Sequence, residues 1–190
     1  MNTIRKQLKI PRSRFHEQQR LKEMLRVDHA GELGAVRIYE GQLAGLAVYR
    51  NAKATLGQVQ HMHHQEVAHL KHFEKTLPKH DVAPTMLQPI WKVAGTVLGL
   101  GTALWGPKMA HACTAAVETV IDHHYEEQIV TVRQEGDEEL AEKLTQFQSE
   151  EVEHRDLALA HGAQDVPMFG MVRGLIEAGC RFAIKVSEKI

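Results

Sequence analysis

Apolar side chains recur at intervals of three and four residues along most of this chain, a spacing typical of amphipathic helices. We therefore predict helices over residues 17–50, 52–77, 89–105, 108–134, 137–162 and 167–187, the third being either one helix or a helical hairpin. Pro78 and Gly136 are expected to end the second and fourth helices, and Asp137 to cap the fifth. Residues 80–89 contain two prolines and are predicted to form a loop. No segment alternates with the period of two that a strand requires, so the expected fold class is all-α.

The polar positions carry an internal repeat made of metal-ligand residue types. A lone glutamate precedes a Glu-x-x-His tetrad, and the whole set recurs 85 to 86 residues later: Glu32, Glu66 and His69, then Glu118, Glu151 and His154. On a helix, positions i and i+3 share one face, so both side chains of a tetrad can reach the same metal pair. This ligand set is the one that a carboxylate-bridged two-metal site requires in a four-helix bundle.

The type of ligand limits which metals the site could bind. Hard carboxylates with two imidazoles and no thiolate favour iron or manganese over zinc or copper. The alternative is that the six residues are solvated on charged helix faces. Repetition of the whole set favours the metal site, because two isolated tetrads could arise by chance.

Composition limits the other possibilities. A chain of 190 residues with 43% hydrophobic residues suits a single domain with one core. A net charge of −1 and 5% aromatic residues argue against a nucleic-acid partner. Cys113 and Cys180 are too few for a disulfide framework and suit a reducing compartment.

Residues 1–16 are expected to form a flexible basic arm, because five Lys and Arg residues precede the first acid, Glu17. Such an arm could be drawn to anionic lipid. An ordinary disordered tail and a short transit segment are the alternatives. The N-terminus lacks the apolar stretch of a secretory signal.

An apolar segment, residues 93–105, separates the two halves of the repeat and carries no charge. As a helix it is shorter than the roughly 20 residues needed to cross a bilayer. Trp91 and Trp105 flank it, as amphipathic aromatics do at a lipid interface. We therefore predict a membrane-interface insert over residues 89–106, supported by a wide apolar surface on the last helix. A buried core helix is the alternative.

Residues near the ligands are candidates for accessory roles. His124 and Tyr125 follow Glu118 by six and seven residues, and the tyrosine returns to nearly the same helix face. Its phenol is expected to hydrogen-bond a bridging carboxylate or to carry an electron, with a packed core tyrosine as the alternative. Asp28 or Asp122 is predicted to orient a ligand imidazole. Four further histidines lie near the first tetrad. His63 is a candidate to line the cavity, and the other three are expected to be solvated: His61, His64 and His72.

Four runs of residues together resemble the motifs of the demethoxyubiquinone hydroxylases, which are ferritin-like di-iron carboxylate proteins. They are LRVDHAGE at 25–32, QEVAHL at 65–70, ACTAAVE at 112–118 with HHY at 123–125, and EEVEH at 150–154. The run AGCRFAI at 178–184 resembles that family's C-terminus, and the likeness extends from about residue 18 to the end. One departure is His29, where family members often have Arg, and it adjoins no ligand on the helix face.

The resemblance implies a ferritin-like bundle, residues 1–190, that hydroxylates a demethoxyubiquinol, a polyprenylated methoxy-methyl-benzoquinol, in ubiquinone biosynthesis. It implies two iron ions on the six repeated residues, with His124 and Tyr125 catalytic and O2 as co-substrate. Either NADH or a reductase would donate electrons. Family membership further implies a peripheral protein on the inner membrane, facing the cytoplasm in bacteria or the matrix in mitochondria, with other ubiquinone-biosynthesis proteins as partners.

Two other functions compete with a hydroxylase. A soluble ferritin-like protein for iron storage or peroxide scavenging would share the ligands but would need no lipid-seeking segment. A metal-dependent lipid-binding scaffold would bind quinone without consuming oxygen.

Overall fold

The computed structural model describes residues 12–190, with side-chain environments from residue 18 onward, and every regular element in that range is helical. The elements are α1 Arg12–Leu46, α2 Lys53–Lys79, α3 Gln88–Leu104, α4 Pro107–Glu135, α5 Glu138–Ala160, a 3-10 turn Ala163–Asp165 and α6 Phe169–Ser187. The predicted all-α class and the six helices are confirmed.

Some predicted boundaries are wrong by a few residues. Helix α1 begins at Arg12, so residues 12–16 of the predicted flexible arm are helical, while residues 1–11 lie outside the described part. Helix α2 includes Pro78 and ends one residue later, because a proline in the last turn interrupts little of the hydrogen-bond ladder. There the His80 N–H closes the helix on the carbonyls of Thr76 and Leu77.

The junction between α4 and α5 agrees with the sequence. Gly136 adopts a left-handed conformation with φ of 84°, which a residue with a Cβ adopts only at a cost. The Asp137 side chain accepts a hydrogen bond of 3.1 Å from the Leu140 N–H and so caps α5. This short turn makes α4 and α5 a tight hairpin, as residues 47–52 do for α1 and α2.

The two hairpins form the bundle, and its core divides into two main clusters. One contains Phe73, Tyr125 and Phe147, and the other contains Tyr39 and Met62. Both tyrosines direct their hydroxyls at buried glutamates. The acidic residues therefore lie between two apolar regions that exclude water from them.

Helix α3 packs along α1 through glycines. A Cβ built on Gly99 would lie 1.9 Å from the Ile38 carbonyl oxygen, and one on Gly41 would lie 2.5 Å from that of Thr96. The opposite face is apolar and open, with Val93 and Val97 about two-thirds exposed. The alternative of a fully buried core helix is therefore wrong.

Helix α6 packs mainly on α4 and also leaves apolar side chains uncovered, notably Leu175 and Phe182. The open apolar faces of α3 and α6 flank one side of the bundle. None of the helices within residues 12–190 is both long enough and apolar enough to cross a membrane.

Candidate metal centre

The six residues of the repeat converge at the centre of the bundle. Each is at most 3% exposed, and each comes from the helix on which the sequence placed it: Glu32 from α1, Glu66 and His69 from α2, Glu118 from α4, Glu151 and His154 from α5. The alternative that these six residues are solvated on charged helix faces is therefore excluded.

The side chains form two overlapping groups, each of which could hold a metal ion. Glu32, Glu66, His69 and Glu151 offer atoms within 4.8 Å of one another, and so do Glu66, Glu118, Glu151 and His154. Glu66 and Glu151 belong to both groups. The two oxygens of Glu151 lie 3.0 Å from His69 Nδ1 and 3.2 Å from His154 Nδ1. This arrangement suits two cations bridged by two carboxylates, each completed by one further glutamate and one histidine.

Six side-chain atoms of these residues have no hydrogen-bond partner in the fold. The Nδ1 atoms of His69 and His154, both oxygens of Glu151, and one oxygen each of Glu32 and Glu66 make no hydrogen bond. Buried polar atoms without partners are rare and unfavourable in native proteins. Their closeness to one another, within 4.8 Å in each group, fits a pair of bound cations.

The electrostatics of the buried glutamate and histidine cluster, formed by the six residues of the repeat, lead to the same conclusion. Burial, and then the charge of Glu151, raises the pKa of both Glu66 and Glu118 well above the usual range. Burial lowers the pKa of His69, but close contact of its Nδ1 with the carboxylates of Glu151, at 3.0 Å, and Glu32, at 3.4 Å, outweighs this effect and raises that pKa to about 11. Four buried carboxylates therefore demand positive charge, which either protons or two divalent cations can supply.

Each ligand imidazole is held from behind by a residue of the other hairpin. His69 Nε2 lies 2.6 Å from a Glu150 carboxylate oxygen, and His154 Nε2 lies 2.9 Å from the Gln65 amide oxygen. These contacts leave Nδ1 of each ring facing the cluster.

The prediction that Asp28 or Asp122 orients a ligand imidazole is wrong. Asp28 pairs instead with Gln128 and His124, and Asp122 pairs with Arg155. Helical spacing placed Asp28 correctly on the Glu32 face but could not show which residues lie across the bundle.

Two tyrosines hold the unshared glutamates. The Tyr125 hydroxyl donates to Glu32, and the Tyr39 hydroxyl donates to Glu118 over 2.7 Å. Burial raises the pKa of both phenols well above 10, so both are neutral donors. Tyr125 thus contacts an unshared carboxylate rather than the expected bridging one.

Sequence reasoning missed Tyr39, although the signal was present. Tyr39 follows Glu32 by seven residues, as Tyr125 follows Glu118. Each tyrosine then reaches the glutamate of the opposite half. Extending the repeat beyond the metal ligands would have found it.

The repeat continues further along α1 and α4, but with a change of chemistry. Gln128 donates to Asp28 over 2.6 Å, and Gln42, at the equivalent position, contacts Thr114, the equivalent of Asp28. His124 lies 3.4 Å from Asp28, whereas the equivalent position on α1 is apolar Ile38. The acid–imidazole pair, made of Asp28 from one half and His124 from the other, therefore has no counterpart at the equivalent positions Thr114 and Ile38.

The four further histidines singled out from the sequence, all on α2, lie outside the glutamate and histidine cluster. His61 and His64 are exposed, as predicted, whereas His72 is half-buried against the Phe147 ring. His63 is half-buried on α2, 3.9 Å from Glu40, and does not line the apolar cavity.

A cavity of about 530 Å³ lies between α1, α3, α4 and α6 and opens onto the cluster. Its walls are almost entirely apolar and include Trp91, Leu98 and Ile176. Its polar lining near the cluster consists of four side chains: Asp28, Glu32, His124 and Tyr125. Glu32 is common to the cavity and the cluster, so a molecule in the cavity would reach the metal position that this residue serves.

The fold and the site define a class: an all-α protein with a buried glutamate and histidine cluster suited to two metal ions, opening on an apolar cavity. Residues 19–187 match the family described as "Ubiquinone biosynthesis protein COQ7", and the chain belongs to that family. The family predicted from the four motifs is thereby confirmed.

Individual relatives carry more specific names. The chain is 49% identical over 168 residues to "3-demethoxyubiquinol 3-hydroxylase" of Rhodospirillum rubrum, an alignment covering 87% of this chain and 76% of that protein. It is 46% identical over 171 residues to "NADPH-dependent 3-demethoxyubiquinone 3-hydroxylase, mitochondrial" of Homo sapiens, with 88% and 76% covered. A "5-demethoxyubiquinone hydroxylase, mitochondrial" of Saccharomyces cerevisiae is 37% identical over 185 residues, with 90% and 78% covered.

Proposed function

We propose that this protein is a 3-demethoxyubiquinol 3-hydroxylase of ubiquinone biosynthesis. The relatives' names describe this reaction, in agreement with the function predicted from the sequence. The observation that carries the proposal is the apolar cavity that meets the glutamate and histidine cluster at Glu32. A metal-storage protein has no use for such a cavity, whereas a hydroxylase acting on an apolar quinol requires one.

Two iron ions are the proposed cofactor, held by the six residues of the repeat. Glu66 and Glu151 would bridge the ions, and a further glutamate and histidine would complete each position. Carboxylate and imidazole ligands without sulfur support iron over softer metals. Bound iron would supply the reduction of O2 and the delivery of one oxygen atom to the ring.

The chain's own residues would bind and orient the quinol ring. The cavity volume lies within the range of roughly 300–1,000 Å³ typical of small-molecule sites. Near the cluster, His124 is the imidazole best placed to hold or accept a ring hydroxyl proton, since it lines the cavity and its Nε2 lies 3.4 Å from an Asp28 carboxylate oxygen. The Tyr125 hydroxyl would hold Glu32 in place while the ring approaches. Val117 and Ile121 would exclude water from the reacting carbon.

The polyprenyl tail would leave between α3 and α6. These helices form the outer walls of the cavity, and their apolar outer faces are exposed. We propose that both faces rest in one leaflet of the membrane, so the substrate passes from lipid to the cavity without crossing water. This location is peripheral, on the cytoplasmic side of the inner membrane in a bacterium. The human and yeast relatives are named as mitochondrial.

A reduced nicotinamide is the proposed electron donor, because the human relative is named as NADPH-dependent. Other proteins of ubiquinone biosynthesis are the proposed partners, since the product must pass to a methyltransferase. Nothing in the net charge of −1 suggests a nucleic-acid partner.

The proposal is tested with purified protein loaded anaerobically with Fe²⁺ and incorporated in liposomes containing demethoxyubiquinol. On addition of O2 and a reductant, mass spectrometry should show a quinol heavier by one oxygen atom, with two irons bound per chain. Glu118→Ala should abolish the product and lower the iron content, whereas exposed Glu153→Gln should change neither. Full activity of Glu118→Ala would refute the metal assignment. Repeated oxidation of many Fe²⁺ ions without a hydroxylated product would favour iron storage.

A further inference from the structure

The two ligand histidines have partners of different charge. His69 Nε2 contacts the Glu150 carboxylate at 2.6 Å, and His154 Nε2 contacts the Gln65 amide oxygen at 2.9 Å. Glu150 and Gln65 occupy equivalent positions, because each directly precedes the bridging glutamate of its own half. The repeat therefore preserves the geometry behind the histidines but changes the charge.

The other ligands do not distinguish the two metal positions. Each position has the two shared carboxylates, one unshared glutamate and one imidazole, and each unshared glutamate accepts a hydrogen bond from a tyrosine. Asp28 lies on the His69 side, but it is paired with His124 and Gln128. The carboxylate of Glu150 is therefore the charge difference in direct contact with a ligand.

Glu150 is held in the position that this role requires. Its second oxygen accepts a hydrogen bond of 2.8 Å from Gln146 Nε2, and its side chain is only 23% exposed. With the Nε2–H of each ring donating to the oxygen behind it, the Nδ1 lone pair would be available to hold a metal ion. A carboxylate acceptor polarises the imidazole more than a neutral amide does and makes it a stronger metal ligand.

We infer that Glu150 makes the His69 metal position the tighter of the two, so that it is filled first and the two bound ions are inequivalent. This inference rests on the proposed two-metal site. Replacing a residue that supports a metal ligand typically changes metal affinity by about 10- to 100-fold. The same range is expected here between the two positions.

The experiment is an anaerobic titration of the metal-free full chain with Fe²⁺ alone, monitored by isothermal titration calorimetry. Wild type should bind two ions in two separable steps. Glu150→Gln should weaken the tighter step by about 10- to 100-fold and bring the two steps together. Exchanging both residues, Glu150→Gln with Gln65→Glu, should restore two separate steps. Glu153→Gln, an exposed charge loss on the same helix, is the matched control and should leave both steps unchanged.

Single-site backgrounds assign the effect to one position. In His154→Ala, which retains the His69 position, adding Glu150→Gln should weaken the remaining ion by the same 10- to 100-fold. In His69→Ala, Glu150 has lost its partner, so adding Glu150→Gln should have no effect.

The outcomes separate this inference from the proposed function. Equal effects of Glu150→Gln in both backgrounds, or no effect on wild-type binding of two ions, would overturn the inference and leave the two-metal site intact. Failure of wild type to bind two ions would refute the two-metal site itself. Circular dichroism melting of each metal-free variant identifies any variant that does not fold. If Glu150→Gln does not fold, Glu150→Asp, which retains the charge, provides the second test.

Discussion

Replacing Gly99 with alanine should destabilise the protein by separating α3 from α1. A Cβ at this position would lie 1.9 Å from the Ile38 carbonyl oxygen and 2.7 Å from its carbonyl carbon. Ordinary contacts begin at 3.4 Å, so the two backbones must move apart by about 1.5 Å. Because the obstacle is backbone rather than a flexible side chain, the strain cannot be relieved locally. Overpacking of this kind costs about 1–3 kcal/mol or more, even though alanine is the better helix former by about 1 kcal/mol.

Gly101 is the matched control, because it lies on the same helix and has nothing within 4 Å of the Cβ position. Gly101→Ala should stabilise the protein by about 0.5–1 kcal/mol. Urea unfolding monitored by circular dichroism would measure both variants, and the two midpoints should differ by about 0.5 M or more for a urea dependence of roughly 1–3 kcal/mol/M. Gly99→Ala should also raise KM for the quinol, since Gly95 and Leu98 of α3 line the cavity. If Gly99→Ala were as stable as Gly101→Ala, the close packing of α3 on α1 would be wrong.

Three further predictions concern the tyrosines, a buried histidine and the apolar faces. Tyr39→Phe and Tyr125→Phe should each lower the free energy of unfolding by at most about 1–2 kcal/mol. Both variants should retain two irons but hydroxylate more slowly, as measured by iron content and turnover. Wild-type rates would show that both tyrosines serve only in core packing. His111 is 1% exposed with both ring nitrogens unbonded, and burial followed by the charge of His161 lowers its pKa from 6.5 to about 4. The unfolded state therefore binds the proton more readily, so stability is lost as the pH falls from 6.5 toward 4, by up to about 3 kcal/mol. His111→Leu should remove this part of the pH dependence in urea unfolding at pH 7 and pH 5, and an unchanged slope would contradict the assignment. Serine replacements at Val97, Leu104 and Phe182, on the outer faces of α3 and α6, should release the protein from liposomes without loss of stability. Val130→Ser, which replaces an exposed apolar residue on α4, is the control and should leave liposome binding unchanged. Continued binding of the serine variants would exclude these faces as the membrane contact.

The six residues that converge at the centre of the bundle could be predicted from the sequence because metal coordination restricts residue type, and helical geometry restricts spacing. Glu66 and His69 had to share a face at i and i+3 whatever the rest of the fold. Gly136 and Asp137 could likewise be assigned, since a left-handed end and a side-chain cap depend only on local backbone chemistry. Local rules of this kind need no knowledge of the opposite helix.

The tertiary structure alone decided which residues meet across the bundle. Glu150 rather than Asp28 supports a ligand histidine, and Tyr39 reaches the glutamate of the other half. Such contacts depend on the rotation and axial offset of one helix relative to another, which the period of 3.6 residues in a single helix does not specify. The cavity is also a tertiary feature, because α1, α3, α4 and α6 must assemble before it exists.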